Sequence, residues 1–301
     1  MSGSRAYLID ASIYIFRAWF SLPDQWHTSE GMPLNAVYGY TRFLLEFLRQ
    51  QQPSHVAATF DESLGSCFRN ELYPAYKASR DLPDEALGFQ LNTCRAITER
   101  LGIPSYGGAD YEADDYLASL ARLYRRRDIP VTVVTRDKDL GQIIVGPNDQ
   151  WWDYAAGVCL DVDAFTARFS VRPDQFADYL ALVGDPVDDV PGVPGIGAKT
   201  AAALLRVFGD LDRLAANLGQ VGELSLRGAK RVQQRLEEHW PTVELARSLT
   251  RLEQRVPGLD RAPDFELHAA QLHDLAHYLA ELGLEGPLTR RCVALARELE
   301  V

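Results

Sequence analysis

Cysteines and long apolar runs are both scarce in this 301-residue chain. None of its four cysteines forms a Cys-x-x-Cys pair, which argues against a zinc site and indicates thiols that stay reduced. No apolar stretch approaches the roughly 20 residues that a membrane helix needs. Residues 1–5 lead into a strand-like run and not into a signal peptide. We therefore expect a soluble, cytoplasmic protein without a membrane partner.

Basic residues are outnumbered by acidic ones: the chain has 31 Lys and Arg and 42 Asp and Glu, which gives a net charge of −11. Taken alone, this charge disfavours a general nucleic-acid binder, because phosphate contacts need positive patches. Net charge does not report local charge, however, and a metal-binding cluster of carboxylates would itself lower the total. The length allows one large domain or two ordinary ones, and a hydrophobic content of 47% allows a sizeable core.

Three short apolar runs end in an aspartate and alternate with helical patterns. The aspartates are Asp10, Asp61 and Asp137. Apolar residues at helical spacing predict helices over residues 35–50 and 91–101. This alternation predicts an α/β fold with a helix-covered, mostly parallel central sheet. Because ligands bind outside the carboxyl ends of such strands, we expect the three aspartates to share an acidic pocket.

The second half of the chain has a different pattern. Aromatic and apolar residues at 151–160 predict a hairpin whose rings pack at the sheet edge, and helical patterns continue to the C-terminus. We expect a soft boundary near Pro173, which divides an α/β core over residues 1–173 from a helical region over residues 174–301.

Three carboxylates, Glu112, Asp114 and Asp115, fall within four residues at the start of a helical pattern. Like charges this close repel and raise one another's pKa. A divalent cation with oxygen ligands would make the arrangement favourable. The alternative is a solvated acidic helix start, which the helix dipole favours.

A second acidic segment carries Asp185 and Asp188 and runs into a Gly/Pro-rich hairpin. The Gly-x-Gly hairpin and the helix after it predict a helix-hairpin-helix at about residues 190–206. Such a helix start exposes backbone N–H groups that bind phosphate. The expected contacts are Gly195, Gly197, Lys199 and Thr200.

Taken together, six motifs in order make the chain resemble the 5′-nuclease family, which includes the 5′→3′ exonuclease domain of bacterial DNA polymerase I, phage 5′-exonucleases and flap endonucleases. The resemblance covers residues 7 to about 256. The motifs are Leu8-Ile9-Asp10, Phe60-Asp61, Phe68-Arg69 with Tyr73-x-x-Tyr76-Lys77-x-x-Arg80, Glu112-Ala113-Asp114-Asp115, Asp137-Lys138-Asp139-Leu140, and Gly184-Asp185-x-x-Asp188 before the hairpin. Because no polymerase segment follows, we expect a stand-alone form of the family. We also expect a monomer.

The resemblance implies a PIN-like 5′-nuclease core and a metal-dependent 5′→3′ exonuclease or structure-specific 5′-flap endonuclease. Two or more Mg²⁺ ions, with Mn²⁺ as a substitute, would activate water and stabilise charge on the phosphate. The implied substrates are DNA 5′ ends, nicks, gaps and 5′ flaps, and the implied setting is DNA replication or repair. The implied ligands of the first metal region are Asp10, Asp61, Glu112, Asp114 and Asp115, and those of the second are Asp137, Asp139, Asp185 and Asp188.

The resemblance also implies groups that contact DNA or a monovalent ion. Lys77 and Arg80 would stand at the base of an arch over residues 70–92 and contact the scissile phosphate, and Tyr76 would stack on the terminal base. Arg69 would contact DNA, or else pair with a pocket carboxylate. In relatives a K⁺ ion lies among the hairpin carbonyls, which implies Val193 and Ile196 here.

The chain departs from the family pattern at several positions. Asp189 stands where Asn is usual, and would add charge to the second metal region or replace a structural hydrogen bond. Arg136 precedes Asp137 where a small residue is common, and would touch DNA or crowd the site. The arch segment around residues 81–85 is acidic, which would repel a threaded strand.

Helical spacing divides the roles within the acidic helix start. Glu112 and Asp115 lie three residues apart and therefore share a face. We expect these two carboxylates to approach metal most directly and Asp114 to act through water.

Two functions other than an active 5′-nuclease remain open. A catalytically inactive, structure-specific DNA-binding protein of the same fold is disfavoured because every carboxylate is present. A ribonuclease of a related small nuclease fold is disfavoured because the helix-hairpin-helix suits duplex DNA.

Overall fold

The computed structural model describes residues 4–63 and 65–300. Its strands are β1 Ala6–Asp10, β2 His55–Thr59, β3 Ser105–Tyr106, β4 Val131–Val134, β5 Gln150–Asp153 and β6 Val158–Leu160. They form one sheet in the order β3-β2-β1-β4-β5-β6, in which only the β5–β6 pair is antiparallel. The predicted α/β class with a mostly parallel sheet and a helical C-terminal region is confirmed.

Twelve α-helices accompany the sheet in the described residues. They are α1 Ala11–Ser21, α2 Asn35–Gln51, α3 Phe68–Leu72, α4 Glu85–Arg100, α5 Ala113–Arg125, α6 Val162–Phe169, α7 Phe176–Val183, α8 Ala198–Phe208, α9 Leu211–Ala216, α10 Ala229–Thr250, α11 Ala269–Glu281 and α12 Pro287–Leu299. None of them combines the length and the apolar character that crossing a membrane requires.

The sheet separates two hydrophobic cores. Because alternate strand residues point to opposite faces, Leu8 packs in the core that contains α5, α7, α8 and α10, whereas its neighbour Ile9 packs in the core that contains α1, α2 and α4. The last two helices, α11 and α12, pack on this second core through buried leucines such as Leu275 and Leu288. The helices after residue 173 therefore cover both faces of the sheet, while the domain boundary itself remains a prediction.

The segment expected to form an arch, residues 70–92, is helical at both ends and non-helical in its middle. Helix α4 begins at Glu85, earlier than the predicted residue 91, because Asp84 caps it by accepting from the Leu87 N–H at 2.8 Å. Residues 73–84 consist of turns and extended backbone. The Lys77 N–H donates to the Asp188 carbonyl at 3.0 Å, which ties this segment to the loop before the hairpin.

Candidate metal and nucleic-acid site

The structure brings the three strand-end aspartates to one edge of the sheet. Asp10 caps α1 by accepting from the Ile13 N–H, and its other oxygen accepts from the Thr135 hydroxyl at 2.9 Å. The same hydroxyl accepts from the Asp137 N–H at 3.0 Å. Burial raises the pKa of Asp10 to about 7, and the charges of Asp137 and Asp61 add to the rise against the hydrogen bonds from Thr135 and Ile13.

Asp114 faces this acidic edge from the first turn of α5. Burial and the charges of Asp137 and Asp10 raise its pKa well above the ordinary value. Asp139 lies at the start of a 3₁₀ turn after β4, and burial together with the Asp137 charge raises its pKa to about 7. The fold brings these carboxylates near one another although they repel, an arrangement that a bound cation would stabilise.

Glu112, at the N-terminus of α5, has its negative charge compensated by neighbouring cations. It accepts from Lys77, from Arg69 at 3.0 Å and from the Tyr76 hydroxyl at 2.9 Å. Burial alone would raise its pKa, but Lys77 and Arg69 outweigh burial and the pKa is lowered. Arg80 pairs with Asp188, and Lys77 lies 3.6 Å from the same carboxylate. Lys77 thus bridges carboxylates from both predicted metal regions, whereas Arg80 pairs with the second region alone.

The structure places Asp115, expected to approach metal directly, in an ion pair with Arg69. Both of its oxygens accept from Arg69 at 2.7 Å, and they also accept from the N–H groups of Glu112 and Glu253. The Asp115 carboxylate is fully buried. Glu112 and Asp115 do share a face, but that face turns toward Arg69, and Asp114 faces the carboxylates instead.

Two of the expected DNA contacts are buried in the structure. Arg69 is only 1% exposed and donates to Asp115, Glu112 and backbone carbonyls, which matches the alternative that it pairs with a pocket carboxylate. Tyr76 is 4% exposed, with its hydroxyl on Glu112, so its ring is not available to stack on a base. Sequence spacing placed both residues near the site but did not reveal how deeply each is buried.

Lys138 is a site residue to which sequence reasoning gave no role. Its ammonium lies 3.1 Å from Asp139 Oδ1 and 3.1 Å from Asp185 Oδ2. Although burial alone would lower it, the pKa of Lys138 is raised because Asp139 and Asp185 stabilise the charged form. The signal in the sequence was a lysine between two aspartates, which places a cation inside the pocket that those aspartates line.

Trp151 is a second residue whose contribution to the site was missed. Its indole N–H donates to the Asp137 carbonyl at 2.7 Å. The predicted aromatic hairpin therefore does more than pack at the sheet edge, because it also fixes the backbone of the loop that carries Asp137.

The donor set fits a hard divalent cation, but it is not drawn together as a ligand shell. In residues 4–63 and 65–300, no three His, Cys, Asp or Glu side chains lie in a geometry that could hold a metal ion. Lysines and arginines instead compensate Asp139, Asp185, Glu112 and Asp188. Asp139 Oδ1 is buried, and the Lys138 ammonium lies 3.1 Å from it as a counter-charge. A pocket lined by carboxylate oxygens matches the preference of Mg²⁺ and Mn²⁺.

The predicted helix-hairpin-helix comprises α7, the turn before α8, and α8 itself. Gly195 has a φ of +76°, a conformation that favours glycine, and Gly197 caps α8. The backbone N–H groups of Gly195, Gly197 and Lys199 donate to no acceptor in the described residues, and all three positions are exposed. Thr200 is partly exposed in the first turn of α8. The expected phosphate-binding groups therefore lie together on one surface.

Of the two hairpin carbonyls expected to bind K⁺, that of Val193 has a hydrogen-bond partner within the hairpin. The Val193 carbonyl accepts from the Ile196 N–H at 3.0 Å, and both side chains are buried. Arg235 donates to the neighbouring Pro194 carbonyl. A Cβ added at Gly195 would meet Arg235 Nη1 at 1.7 Å, so this guanidinium is packed directly on the hairpin.

Two departures from the family pattern have structural explanations. Asp189 accepts from the Ser79 N–H at 2.9 Å and so replaces a structural hydrogen bond. Arg136 pairs with Asp153 at 3.2 Å, a carboxylate outside the predicted metal ligands.

Comparison with known proteins places these features in a family. The model of the 5′-3′ exonuclease N-terminal resolvase-like domain matches residues 5–170, and the model of the 5′-3′ exonuclease C-terminal SAM fold matches residues 171–273. DNA polymerase I of Pseudomonas aeruginosa is 41% identical over 240 residues, which are 79% of this chain and 26% of that protein. The thermostable DNA polymerase I of Thermus thermophilus is 34% identical over 290 residues, which are 94% of this chain and 34% of that protein. The chain thus spans about a quarter to a third of the length of these relatives.

Solved structures share the fold at low sequence identity. A flap endonuclease of bacteriophage T5, in a pseudo-enzyme-product complex with DNA and metal ions, aligns with a TM-score of 0.68 at 17% identity over 97% of this chain and 99% of that chain. The catalytic core of Rad2 in complex with DNA substrate aligns with a TM-score of 0.61 at 17% identity over 99% of this chain and 92% of that chain. From the two domain models and the polymerase relatives, the chain belongs to the 5′-3′ exonuclease family.

Proposed function

We propose that this chain is a divalent-metal-dependent nuclease that hydrolyses phosphodiester bonds in DNA at 5′ ends, nicks, gaps or 5′ flaps. The observation that carries the proposal is the group of Asp10, Asp114, Asp137 and Asp139, which the fold holds together against mutual repulsion. A stable fold has no use for such repulsion unless a cation relieves it. Membership in a family of nucleases supports the same reading.

The carboxylates would hold two or more Mg²⁺ ions, with Mn²⁺ as a substitute. Asp10, Asp61, Asp114 and Asp137 lie at the end of the sheet, and Asp139, Asp185 and Asp188 lie toward the hairpin. When bound, the ions would supply a water activated near neutral pH and stabilise charge on the phosphate oxygens. Glu112 and Asp115 shape this pocket through Arg69, and Asp115 would bind no metal.

The basic residues at the rim would act on the phosphate. Lys77 and Arg80 contact carboxylates of the pocket, and Arg80 is 45% exposed. Each can turn to a phosphate once its carboxylate has another counter-charge. Arg80 suits this contact because a guanidinium offers a planar pair of donors to phosphate oxygens.

The hairpin would hold the duplex part of the substrate. The free N–H groups of Gly195, Gly197 and Lys199, with the side chains of Lys199 and Thr200, would contact backbone phosphates. Such contacts position DNA without reading its sequence. The proposal includes K⁺ at the carbonyls of Val193 and Ile196, beside which Arg235 already provides one positive charge to the hairpin.

The test is cleavage of a 5′-labelled flap or nicked duplex by purified protein with Mg²⁺, compared with Asp139→Ala. Loss of an outer-shell partner alone costs a metal site about 10–100-fold, so we expect at least that loss of rate for a direct ligand. Binding of the same DNA in EDTA should be retained. Equal release of product by wild type and variant would refute the proposal, and DNA binding without cleavage in either would favour the inactive binding protein.

Replacing Lys138 with Met is expected to tighten Mn²⁺ binding by at least about fivefold. Methionine removes the charge that competes for Asp139 and Asp185, and two unit charges 4 Å apart exchange about 1 kcal/mol even in bulk water. The measurement is a titration of metal-free protein with Mn²⁺, followed by electron paramagnetic resonance of the free ion. Lys199→Met, on the exposed hairpin, is the matched control and should leave the affinity unchanged. Weaker Mn²⁺ binding by Lys138→Met would mean that the lysine organises the pocket and does not compete for it.

A further inference from the structure

A threonine hydroxyl lies between the two predicted metal regions. Thr135 directly follows β4 and is 0% exposed. Its hydroxyl donates to Asp10 Oδ2 at 2.9 Å and accepts from the Asp137 N–H at 3.0 Å. Asp10 belongs to the first predicted metal region and Asp137 to the second. Thr135 therefore joins the end of β1 to the loop that follows β4.

The chemistry of the three groups fixes the direction of both hydrogen bonds. A backbone N–H can only donate, so the Asp137 N–H occupies a lone pair of the Thr135 oxygen. An ionised carboxylate can only accept, so the one hydroxyl proton is directed to Asp10. An oxygen that accepts on one side and donates on the other holds its two neighbours at hydrogen-bond distance. A methyl group in its place could make neither bond.

The hydrogen bonds continue from Thr135 into the second metal region. Asp137 Oδ1 accepts from the Asp139 N–H at 2.8 Å. The Thr135 N–H donates to the Trp152 carbonyl at 3.0 Å, which anchors the threonine backbone to β5. A connected series of hydrogen bonds thus runs from Asp10 through Thr135 to Asp139.

The other oxygen of Asp10 is held by its own helix. Asp10 Oδ1 accepts from the Ile13 N–H at 3.3 Å, in the first turn of α1. Among the hydrogen bonds of Asp10 within the described residues, only the one with Thr135 reaches the loop of the second metal region. Without it, the Asp10 carboxylate would keep its place on α1 but lose its connection to Asp137.

A second threonine lies on the other side of Asp10 and makes no such connection. Strand β2 pairs with β1 so that Thr59 is the register partner of Asp10. Register partners share a face of the sheet, so both side chains lie on the same face. Thr59 is also 0% exposed, and its hydroxyl forms no hydrogen bond with any described residue. Two equally buried threonines thus flank Asp10, and Thr135 is the one that links it to Asp137.

We propose that Thr135 is a positioning residue that sets the placement of Asp10 relative to the loop of Asp137 and Asp139, and so prepares both regions for divalent cations. The inference rests on the proposed nuclease function, because it assigns a role within that site. Hydrogen-bond partners of metal-binding side chains orient them, and their loss weakens metal binding by about 10–100-fold. Thr135 acts through the carboxylates and is not itself a metal ligand, because its hydroxyl is used in both hydrogen bonds.

The test compares Thr135→Val with Thr135→Ser and with the matched control Thr59→Val. Valine keeps the branched shape of threonine without the hydroxyl, whereas serine keeps the hydroxyl. Metal-free protein is titrated with Mn²⁺ and the free ion is followed by electron paramagnetic resonance, at a temperature at which circular dichroism shows every variant folded. We expect Thr135→Val to bind Mn²⁺ about tenfold more weakly or worse. Thr135→Ser should restore most of the affinity, and Thr59→Val should bind like wild type.

Two further measurements distinguish positioning from a general role in folding. At saturating Mn²⁺, Thr135→Val should lower kcat for a nicked duplex by about tenfold or more, because misplaced reacting groups lose rate. The KM for DNA should change little, since the hairpin proposed to hold the duplex is untouched. In thermal unfolding with EDTA, Thr59→Val should not lower the midpoint, because it removes a buried hydroxyl without a partner. A purely structural Thr135 would lower the midpoint of Thr135→Val and leave the Mn²⁺ affinity of the folded protein unchanged.

Unchanged Mn²⁺ affinity in Thr135→Val would overturn the inference. An equal loss in Thr59→Val, or a failure of Thr135→Ser to restore binding, would also overturn it, because the hydrogen-bonded hydroxyl would then not be the cause. Failure of the proposed nuclease function has a different result: the wild type would bind Mn²⁺ with the same dependence on Thr135 but release no product from DNA.

Discussion

Asp114→Asn and Asp115→Asn are expected to change stability in opposite directions although the residues are adjacent. Asp115→Asn should lower the free energy of unfolding by about 3–5 kcal/mol, because it leaves the buried Arg69 guanidinium without its bidentate partner. Asp114→Asn removes a charge that repels Asp10 and Asp137, so the free energy of unfolding should stay equal or rise. The measurement is urea unfolding in EDTA at about pH 8.

The measurement is made at about pH 8 because the pKa of Asp10 is raised in the folded protein. The pKa of Asp10 is raised by burial to about 7 from an ordinary 3.8, so the folded state holds a proton that the unfolded state loses between these values. Stability in EDTA therefore falls as pH rises through this window, and the repulsion that Asp114→Asn relieves is complete only above it. A loss of more than about 1 kcal/mol for Asp114→Asn would mean that its carboxylate has a stabilising partner in solution. An effect below about 0.5 kcal/mol for Asp115→Asn would mean that Arg69 is compensated by Glu112 alone.

The same pair of residues shows what the sequence could and could not predict. Strand ends were predictable, because apolar runs followed by Asp10, Asp61 and Asp137 must meet at one edge if the strands are parallel. Helical spacing correctly placed Glu112 and Asp115 on one face. It did not predict what that face of α5 contacts. The contact is with Arg69, a residue 46 positions away from Asp115 in the sequence. A buried ion pair between distant segments has no local pattern.

The C-terminal helices show a similar division between pattern and placement. Their apolar periodicity indicates helices, but it does not say which surface they cover. The structure packs α11 and α12 on α2 and α4, so the chain returns to its N-terminal half. The Phe265 N–H donates to the Ser54 carbonyl at 3.0 Å as the chain crosses over. Residues 257–300, which no motif explained, thus close the second core of the sheet.

Adding Mg²⁺ or Mn²⁺ to metal-free protein is expected to raise the midpoint of thermal unfolding by roughly 5 °C or more. A ligand at 100 times its Kd that binds only the folded state stabilises it by about 2.7 kcal/mol, and each kcal/mol shifts the midpoint by about 2–4 °C in proteins approaching this size. The physical source is relief of repulsion among Asp10, Asp114 and Asp137, which the metal-free fold must tolerate. The measurement is a thermal melt in EDTA and at increasing metal concentration.

Two variants distinguish metal binding at the carboxylates from nonspecific screening of the protein's negative charge by the added cations. Asp114→Asn should lose most of the metal-dependent shift, because it removes a carboxylate from the shared edge. Asp81→Asn removes the same charge from an exposed position outside the carboxylate edge and should keep the shift. If both variants kept the full shift, the stabilisation would come from screening of the net charge of −11 and not from the pocket. A selective loss in Asp114→Asn would instead locate the binding energy at the carboxylates that sequence and fold bring together, and would do so without any assay of cleavage.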